Sequence, residues 1–273
     1  MDSTLIVPKI SVIIPCYNSG KYLPDAIQSL MDLKDKADFE VIIINDGSED
    51  LSTLAYLKSI AGTYKVLHQT NQGPASARNN GVRNSIGEYL LFLDSDNKIR
   101  SGYLDKAINI MTSDQRIAVV YAKPHFFGND DLEYRKFNSA PFDLNKLSQA
   151  NYIDMCAIVR KKAMDEIGGF DENLLLIGNE DWDLWLNIGI SGYKFHFLNE
   201  ILFDYRIRKN SLHEMQSEKV NRFKDLQLYF FKKYPKLYLS VFNELRTDKL
   251  IHENDQKHPF RSFIKYLYLK YFK

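Results

Sequence analysis

The sequence Tyr-Leu-Leu-Phe-Leu-Asp-Ser-Asp at residues 89–96 is an unbroken apolar run that ends in two aspartates. A short continuous apolar run is typical of a strand in a parallel sheet that is covered on both faces. In open α/β sheets, ligands bind just beyond the carboxyl ends of such strands. The sequence therefore predicts a site edge at Asp94 and Asp96, where two carboxylates can hold a divalent cation together with a substrate diphosphate. The alternative is a solvated turn, since Asp and Ser are common turn residues.

Apolar runs alternate with segments of helical spacing in the first hundred residues. Residues 10–14 are a β-branched run that we predict to end at Pro15, because proline cannot donate to a sheet ladder. Residues 23–30 then carry apolar side chains at helical spacing. Further strands are predicted at 39–44 and 64–67. This alternation predicts an α/β fold with a mostly parallel, Rossmann-like central sheet that is flanked by helices.

A short helix that carries Arg78 is predicted before the strand at residues 89–93. Pro74 suits the first turn of this helix and Gly81 suits its end. On the alternative interpretation, Arg78 is an ordinary surface charge. Later helices are predicted at residues 103–111, 160–167 and 180–190, and later strands at 117–121, 155–159 and 193–198. An irregular stretch is expected at 128–150.

Four polar motifs follow or connect these elements, and they lie at residues 11–18, 45–48, 73–79 and 94–96. In order and spacing they resemble the large family 2 of inverting, nucleotide-sugar-dependent glycosyltransferases, which has the GT-A fold. Residues 168–172 and 180–185 resemble acceptor-side segments of the same family. The resemblance covers about residues 10–213.

The resemblance implies how the nucleotide-sugar is bound. Asp46 is expected to accept a hydrogen bond from the base, typically uracil, and the backbone around Cys16 is expected to flank that base. The arginine that matches Arg78 lies close to the nucleotide, and Asp94 is expected to contact the ribose or to assist the metal. The expected donor-binding residues are Pro15, Tyr17, Asn18, Asp46, Arg78, Asp94 and Ser95.

A metal ion, Mn²⁺ or Mg²⁺, is the cofactor that the resemblance implies. Asp96 is expected to be its main protein ligand, and the ion would act as a Lewis acid on the leaving diphosphate. Residues 205–213 resemble a family segment that closes over the diphosphate in some relatives, and His213 in it is a second candidate ligand. A single histidine is more often a surface or capping residue. The family often has further acidic residues at the positions of Asn45 and Asn97, so metal affinity is expected to be lower here.

The resemblance also implies a catalytic base. The acceptor hydroxyl must lose a proton as it attacks, and a positioned carboxylate is the simplest acceptor for that proton. Asp181 matches the family's base, Glu180 is expected to contact the acceptor, and Trp182 is a candidate platform for its sugar ring. Trp185 is expected in the core. The alternative is structural, because acidic residues are favoured at a helix start.

Composition limits the functional class of this chain. Its 273 residues are 45% hydrophobic and carry a formal net charge of +1, which predicts a globular domain and argues against nucleic acid as a partner. Cys16 and Cys156 are the two cysteines, too few for a disulfide framework or a cysteine metal cluster. The sequence shows neither a signal peptide nor an apolar segment of membrane-spanning length. A cytoplasmic protein is therefore expected.

Two regions are expected along the chain. Residues 1–213 would form the GT-A domain, with a nucleotide-sugar half at about 10–100 and an acceptor half at about 101–213. Residues 214–273 would form a helical C-terminal extension. Its last part, residues 257–273, interleaves basic with aromatic side chains, which predicts either peripheral contact with the inner membrane face or packing on this domain or on another subunit, including a second copy of the chain.

Together these features predict a metal-dependent inverting glycosyltransferase that moves a sugar from a nucleoside-diphosphate sugar, with UDP expected, to a carbohydrate or lipid-linked acceptor. Synthesis of a cell-surface polysaccharide or glycolipid is the expected setting. A nucleotidyltransferase is one alternative, although residues 18–21 match its glycine-rich basic loop poorly. A catalytically silent sugar-nucleotide-binding subunit is the other. The sugar and the acceptor are left open.

Overall fold

A computed structural model describes residues 9–35, 38–128, 137–208 and 222–258. It shows one sheet with the strand order β3-β2-β1-β4-β7-β6-β8-β5 across the described residues. The strands are β1 Ile10–Cys16, β2 Phe39–Asp46, β3 Lys65–Gln69, β4 Tyr89–Phe92, β5 Lys98–Ile99, β6 Ile117–Gly128, β7 Ile158–Arg160 and β8 Lys194–Ile207.

Helices join most of these strands. They are α1 Leu23–Met31, α2 Leu51–Ile60, α3 Pro74–Arg83, α4 Tyr103–Ser113, α5 Leu144–Leu147, α6 Lys161–Ile167, α7 Glu180–Ile190, α8 Arg222–Lys233 and α9 Pro235–Lys257.

The sheet is mostly parallel. β1 pairs in parallel with β2 and β4, and β2 pairs in parallel with β3. β7 is antiparallel to both of its neighbours, β4 and β6, so β6 again runs in the direction of β1. β8 is parallel to β6, and the short β5 is antiparallel to β8. The predicted α/β fold with a helical C-terminal region is confirmed.

Two predicted boundaries near α3 and β1 are wrong by a few residues. Pro15 lies inside β1, opposite Ile44 of β2, while β4 pairs only with β1 residues up to Ile13. Gly81 lies inside α3 rather than at its end. A Cβ on Gly81 would approach the Ile13 side chain to 2.4 Å and that of Ile44 to 2.9 Å. Gly81 therefore lets α3 pack closely on β1 and β2.

Three strands in the second half of the sheet differ from the prediction. β6 and β8 were predicted to end at residues 121 and 198, but they continue to Gly128 and Ile207 and remain paired. β7 was predicted at 155–159 and instead runs from Ile158 to Arg160. The extra length of β8 brings its end to the turn after β4, where Arg206 contacts Asp96 and Asn97.

The core fills both faces of the sheet with aliphatic and aromatic side chains. Trp185 on α7 is fully buried and its indole N–H donates to Ile153 O at 3.0 Å, which confirms its predicted place in the core. Cys16 and Cys156 are buried free thiols. Burial raises the pKa of Cys16 to about 12, which disfavours the thiolate, the form in which cysteine acts as a nucleophile.

The chain divides into two compact units, Met1–Leu226 and Gln227–Lys273. The predicted boundary at residue 213 lies outside the described residues, as do most residues of the basic and aromatic segment at 257–273. Among the helices that the structure describes, none is long and apolar enough to cross a membrane.

Candidate active site

The carboxyl ends of three neighbouring parallel strands meet at one edge of the sheet. β1 ends at Cys16, β2 at Asp46 and β4 at Phe92. Tyr17 follows β1 and keeps 45% of its surface exposed. Asp94 follows β4 two residues beyond its end. The topology thus places the motifs after β1, β2 and β4 side by side, as parallel pairing requires.

Asp46 is buried and already holds three hydrogen bonds. Its Oδ1 accepts from the Gln69 side-chain amide and from Gln72 N, each at 2.9 Å, and its Oδ2 accepts from Gly73 N at 2.9 Å. Asp46 therefore fixes the loop that leads into α3. A carboxylate offers about four acceptor positions, so one position is left for a ligand donor such as a base N–H.

Asn18 links the loops that follow β1 and β2. Its backbone has the left-handed conformation, with φ of 49°, which asparagine tolerates better than most residues. Its N–H donates to Ser48 Oγ at 3.0 Å, and its Oδ1 accepts from Glu49 N at 2.9 Å and Asp50 N at 3.1 Å. The structure thus gives Asn18 a positioning role between the two loops.

Arg78 connects the end of β4 to the start of α7. It is 4% exposed, and its two terminal nitrogens each donate at 2.7 Å, one to Asp94 Oδ1 and one to Glu180 Oε1. Burial alone would lower the pKa of Arg78, but the two carboxylates raise it above its usual value. Among the described residues, its buried Nε finds no hydrogen-bond partner. The interpretation of Arg78 as a surface charge is therefore wrong.

Asn79 explains why the motifs of α3 and of residues 168–172 occur together. Its amide accepts from Phe170 N at 2.8 Å and donates to Phe170 O at 2.9 Å and to Glu172 Oε1 at 2.7 Å. Gly169 has φ of +82°, and a Cβ there would lie 2.6 Å from Asn79 Oδ1. Phe170 then packs beneath the Arg78 guanidinium, with 5.7 Å from its ring centroid to Cζ.

The turn after β4 directs its two aspartates toward different arginines. Asp94 pairs with Arg78, while Asp96 Oδ2 accepts from Arg208 Nε at 2.6 Å. The Asp96 side chain is 16% exposed and that of Asp94 is 32% exposed. Burial and the charge of Asp94 raise the pKa of Asp96, although Arg208 opposes this.

Asn97 holds this turn against β8. Its Oδ1 accepts from Arg206 N at 2.9 Å, and Arg206 Nε donates to Asp96 O at 2.9 Å. Asn97 is 2% exposed. Asn97, at a position where the family often has an acidic residue, therefore links this turn to β8.

The start of α7 presents Glu180 and Asp181 to the site. Glu180 is buried, and its Oε2 accepts from Gly178 N at 2.6 Å. Asp181 Oδ1 accepts from Trp182 N at 2.7 Å and its Oδ2 from the Asn151 amide at 2.9 Å. Burial and the charge of Glu180 raise the pKa of Asp181 to about 7. A carboxylate that titrates near neutrality is suited to act as a general base.

Asn151, Asp154, Tyr205 and Arg208 complete the site. Asn151 and Asp154 were not singled out from the sequence, and Tyr205 and Arg208 belong to the segment 205–213, in which the resemblance gave a role to His213 alone. Burial and the charge of Asp94 raise the pKa of Asp154 well above its usual value. Burial and the charges of several aspartates raise the pKa of Tyr205. Asn151 and Asp154 lie on a loop, Tyr205 lies on the unexpected extension of β8, and Arg208 follows the end of that strand.

Two expected site residues have a different outcome. Trp182 is 4% exposed, and its indole N–H donates to Leu147 O at 2.6 Å. It packs in the core, so the role of a sugar platform does not fit its position. His213 lies outside the described residues.

The chemistry of Asp94 and Asp96 fits a divalent cation. Both offer carboxylate oxygens, which hard cations prefer, and the charge of Asp94 raises the pKa of Asp96, an effect that a bound cation would oppose. No group of three or more His, Cys, Asp or Glu side chains is arranged for a metal within the described ranges. A bound ion would therefore complete its coordination with water or with diphosphate oxygens.

The family model described as Glycosyl transferase family 2 matches residues 11–168. Minor teichoic acid biosynthesis protein GgaB of Bacillus subtilis is 29% identical over 223 residues, which make up 78% of this chain and 24% of that protein. Curated relatives that are 33% identical are matched over 26% to 30% of their own length. The chain thus spans less than a third of the length of these relatives.

Two solved structures share the fold. S. aureus TarS 1-349 in complex with UDP-GlcNAc gives a TM-score of 0.60 at 23% identity, covering 76% of this chain and 60% of that one. The mannosyltransferase PcManGT from Pyrobaculum calidifontis in complex with GDP-Man and Mn²⁺ also gives 0.60, at 18% identity, covering 87% of this chain and 70% of that one.

Proposed function

This chain belongs to glycosyl transferase family 2, and we propose that it moves a sugar from a nucleoside-diphosphate sugar to an acceptor hydroxyl with inversion at the anomeric carbon. One observation carries the proposal. Arg78 joins Asp94 of the strand-end motif to Glu180 at the start of α7, with 2.7 Å to each carboxylate. The expected diphosphate end of the donor and the expected base thereby share one site.

Asp181 is the catalytic base in this proposal. The acceptor oxygen attacks the anomeric carbon, the bond from that carbon to the diphosphate oxygen breaks, and the acceptor proton passes to Asp181. The nucleoside diphosphate leaves with the bonding electrons. The raised pKa of Asp181, about 7, supports this role, because a base works best when its pKa lies near the working pH.

Asp94 and Asp96 are the residues that would hold a divalent ion. Such an ion, when bound, supplies a Lewis acid to the leaving diphosphate. Support comes from the donor atoms of this chain and from the Mn²⁺ in the mannosyltransferase that shares the fold. His213 remains a candidate further ligand.

The base of the nucleotide is expected against Tyr17, Pro15 and Asp46. The exposed ring of Tyr17 can stack on a base, and Asp46 has one acceptor position left. UDP is our first choice because TarS, which is 23% identical to this chain, is solved with UDP-GlcNAc. GDP is the second choice, because PcManGT, which is 18% identical, is solved with GDP-Man. Ser95, which is buried in the same turn, stays a candidate donor contact.

We propose that the acceptor belongs to cell-surface polysaccharide or glycolipid synthesis, because this chain is similar to GgaB, a teichoic acid biosynthesis protein. Glu180 is the candidate acceptor contact.

The C-terminal unit is proposed to contact a membrane surface or another subunit. Its helix α9 exposes apolar side chains, namely Leu239, Phe242, Leu245 and Leu250. Pelleting with anionic vesicles at low salt separates the two, since only membrane contact brings the protein down.

The proposal is tested by incubating the protein with UDP- and GDP-sugars in Mn²⁺ or Mg²⁺ and measuring release of nucleoside diphosphate. Asp181→Asn is the inactive variant, and Asp165→Asn is the matched control because Asp165 pairs with Lys161 on the surface of α6. Release that depends on Asp181 supports the proposal. Pyrophosphate release from a nucleoside triphosphate and a sugar phosphate would identify a nucleotidyltransferase instead. Binding without turnover of any donor would identify a silent subunit.

The stereochemistry is tested on the product. An α-linked donor should give a β-linked product, read from the anomeric coupling in a proton NMR spectrum. An α-linked product would contradict the inverting mechanism.

A further inference from the structure

Arg208 is paired with the carboxylate of Asp96, the group that a metal ion would need as its ligand. Its Nε donates to Asp96 Oδ2 at 2.6 Å, and the Asp96 side chain is only 16% exposed. A divalent ion carries two positive charges and requires the same carboxylate. The guanidinium and the ion therefore compete for Asp96, since a buried carboxylate oxygen that is paired with an arginine is a poor ligand for a second cation.

The surroundings of Arg208 hold it near Asp96 without enclosing it. Its guanidinium lies 5.2 Å from the centroid of the Tyr22 ring, and the Arg206 guanidinium lies 5.1 Å from the same ring. Arg206 is further held by Asp25 and by the Phe127 ring at 4.4 Å. Arg208 has 32% of its side chain exposed, whereas Arg206 has 15%. Arg208 is therefore the more exposed of the two guanidinium groups and the one that a ligand in the solvent can reach.

A nucleoside diphosphate would offer Arg208 another acceptor. Phosphate oxygens match the guanidinium fork and bind it at least as well as a carboxylate does. The ion and the diphosphate would then enter together, because the diphosphate draws the guanidinium away while the ion takes its place on Asp96. Two ligands that each favour the same displaced arginine must strengthen each other's binding to an equal extent.

We propose that Arg208 is an internal counter-cation that blocks Asp96 to divalent ions until a nucleoside diphosphate is bound. The inference rests on the proposed function, because it takes Asp96 as the metal ligand and a diphosphate as part of the donor. Arg208 acts as a positioning residue in this role. It makes metal binding by the free protein weak and metal binding by the nucleotide complex strong.

The test measures Mn²⁺ affinity directly, from the electron paramagnetic resonance signal of the free ion, with and without UDP. Arg208→Gln removes the charge and should tighten Mn²⁺ binding to the nucleotide-free protein about tenfold, within the usual range of such couplings. The enhancement of Mn²⁺ binding by UDP should shrink in the same variant. Arg208→Lys keeps the charge and should stay close to the wild type.

Arg100→Gln is the matched control. Arg100 pairs with Asp204 of β8, away from Asp96, and its loss should leave Mn²⁺ affinity unchanged. Adding Asp96→Asn to Arg208→Gln should abolish the gain. If Arg208→Gln and wild type bind Mn²⁺ within about threefold of each other, or if the gain survives without Asp96, the proposal is overturned.

A failure of the proposed function gives a different result. In that case no donor is turned over by the wild type, whatever the Mn²⁺ affinities show. The affinities and the turnover are measured separately, so a failure of the Arg208 proposal can be told apart from a failure of the proposed function.

Discussion

The edge at the ends of β1 and β2 and the edge between β4, α7 and β8 handle charge in opposite ways. At the first edge, Asp46 accepts three hydrogen bonds from protein donors. At the second, the carboxylates of Asp94 and Glu180 pair with Arg78 and that of Asp96 pairs with Arg208, and the pKa of Asp181 rises to about 7. The buried Nε of Arg78 has no hydrogen-bond partner among the described residues. The first edge is held together by hydrogen bonds from the protein to a carboxylate, while the second concentrates carboxylate groups and raises their pKa values.

This difference indicates a division of labour. Hydrogen-bonded, well-packed groups make a rigid site that selects by shape, which suits recognition of a base. Crowded carboxylates in a site of low solvent exposure raise each other's pKa values, and such strain is common where chemistry occurs. A cation, a diphosphate or a proton would relieve it. Substitutions at the two edges should therefore fail in different ways.

The largest effect is expected for Asp181→Asn. The variant should lose about 10²–10⁴ in turnover, the usual contribution of a positioned base, and should keep its affinity for the donor. Steady-state nucleotide release gives the turnover and calorimetry with UDP gives the affinity. A near-normal rate would remove Asp181 from the mechanism. A loss of UDP affinity in the same variant would weaken the contrast between the edges.

Asp96→Ala should remove the stabilisation that metal and nucleotide confer together. A ligand at one hundred times its dissociation constant stabilises a native protein by about 2.7 kcal/mol. Thermal unfolding with UDP and Mn²⁺ should therefore show a clear upward shift for the wild type and none for the variant. Equal binding of UDP by the wild type in excess chelator would contradict a metal role for Asp96.

At the other edge, Asp46→Asn should act on stability first. An asparagine cannot keep all three hydrogen bonds, because its NH₂ group would face an N–H donor, and a buried unsatisfied group costs about 1–3 kcal/mol. Urea unfolding should show this loss without any ligand present. Glu49→Gln is a suitable control, since Glu49 lies in the next turn and is exposed. If Asp46→Asn unfolds like the wild type, Asp46 does not hold this edge together.

The sequence predicted the first edge better than the second for a physical reason. The ends of β1 and β2 are marked by local apolar runs and turn residues, so Asp46 could be placed by topology alone. The end of β4 is marked in the same way, which placed Asp94 but not the rest of the second edge. The length of β8 depends on its pairing with β6, which no local pattern shows. Tyr205 and Arg208 were consequently not recognised as site residues, although residues 205–213 resembled a family segment.

Burial was the other quantity that the sequence did not give. Trp182 and Trp185 are three positions apart on α7, and both turn inward, where their indole N–H groups donate to Leu147 O and Ile153 O. Arg78 was predicted from resemblance and lies at the site, but its complete burial follows from Phe170 and the two carboxylates around it. These hydrogen bonds join residues that lie between 16 and 102 positions apart in the chain, so they depend on the tertiary fold and not on a local pattern.

The smallest effect is expected for Asn151→Ala, and it concerns pH. Asn151 donates to Asp181 Oδ2 at 2.9 Å, and its own Oδ1 accepts from Ile153 N, which fixes the amide with its NH₂ group toward the carboxylate. This hydrogen bond favours the charged form of Asp181 and lowers its pKa, against the larger effect of burial. Its loss should raise the pKa of Asp181 by about 0.4–1 unit, from a hydrogen bond worth about 0.5–1.5 kcal/mol. Because the base must be deprotonated, kcat/KM rises with pH through the pKa of Asp181, and this rise should move to higher pH in the variant.

Gln149→Ala, at an exposed neighbouring position, is the control and should leave the pH profile of kcat/KM unchanged. The other charged or titratable groups around Asp181 are the same in both variants, namely Arg78, Asp94, Asp154, Glu180 and Tyr205. A purely structural role for Asn151 would lower the rate at every pH without moving the rise, and that result would show that the strained edge sets the pKa of its base without Asn151.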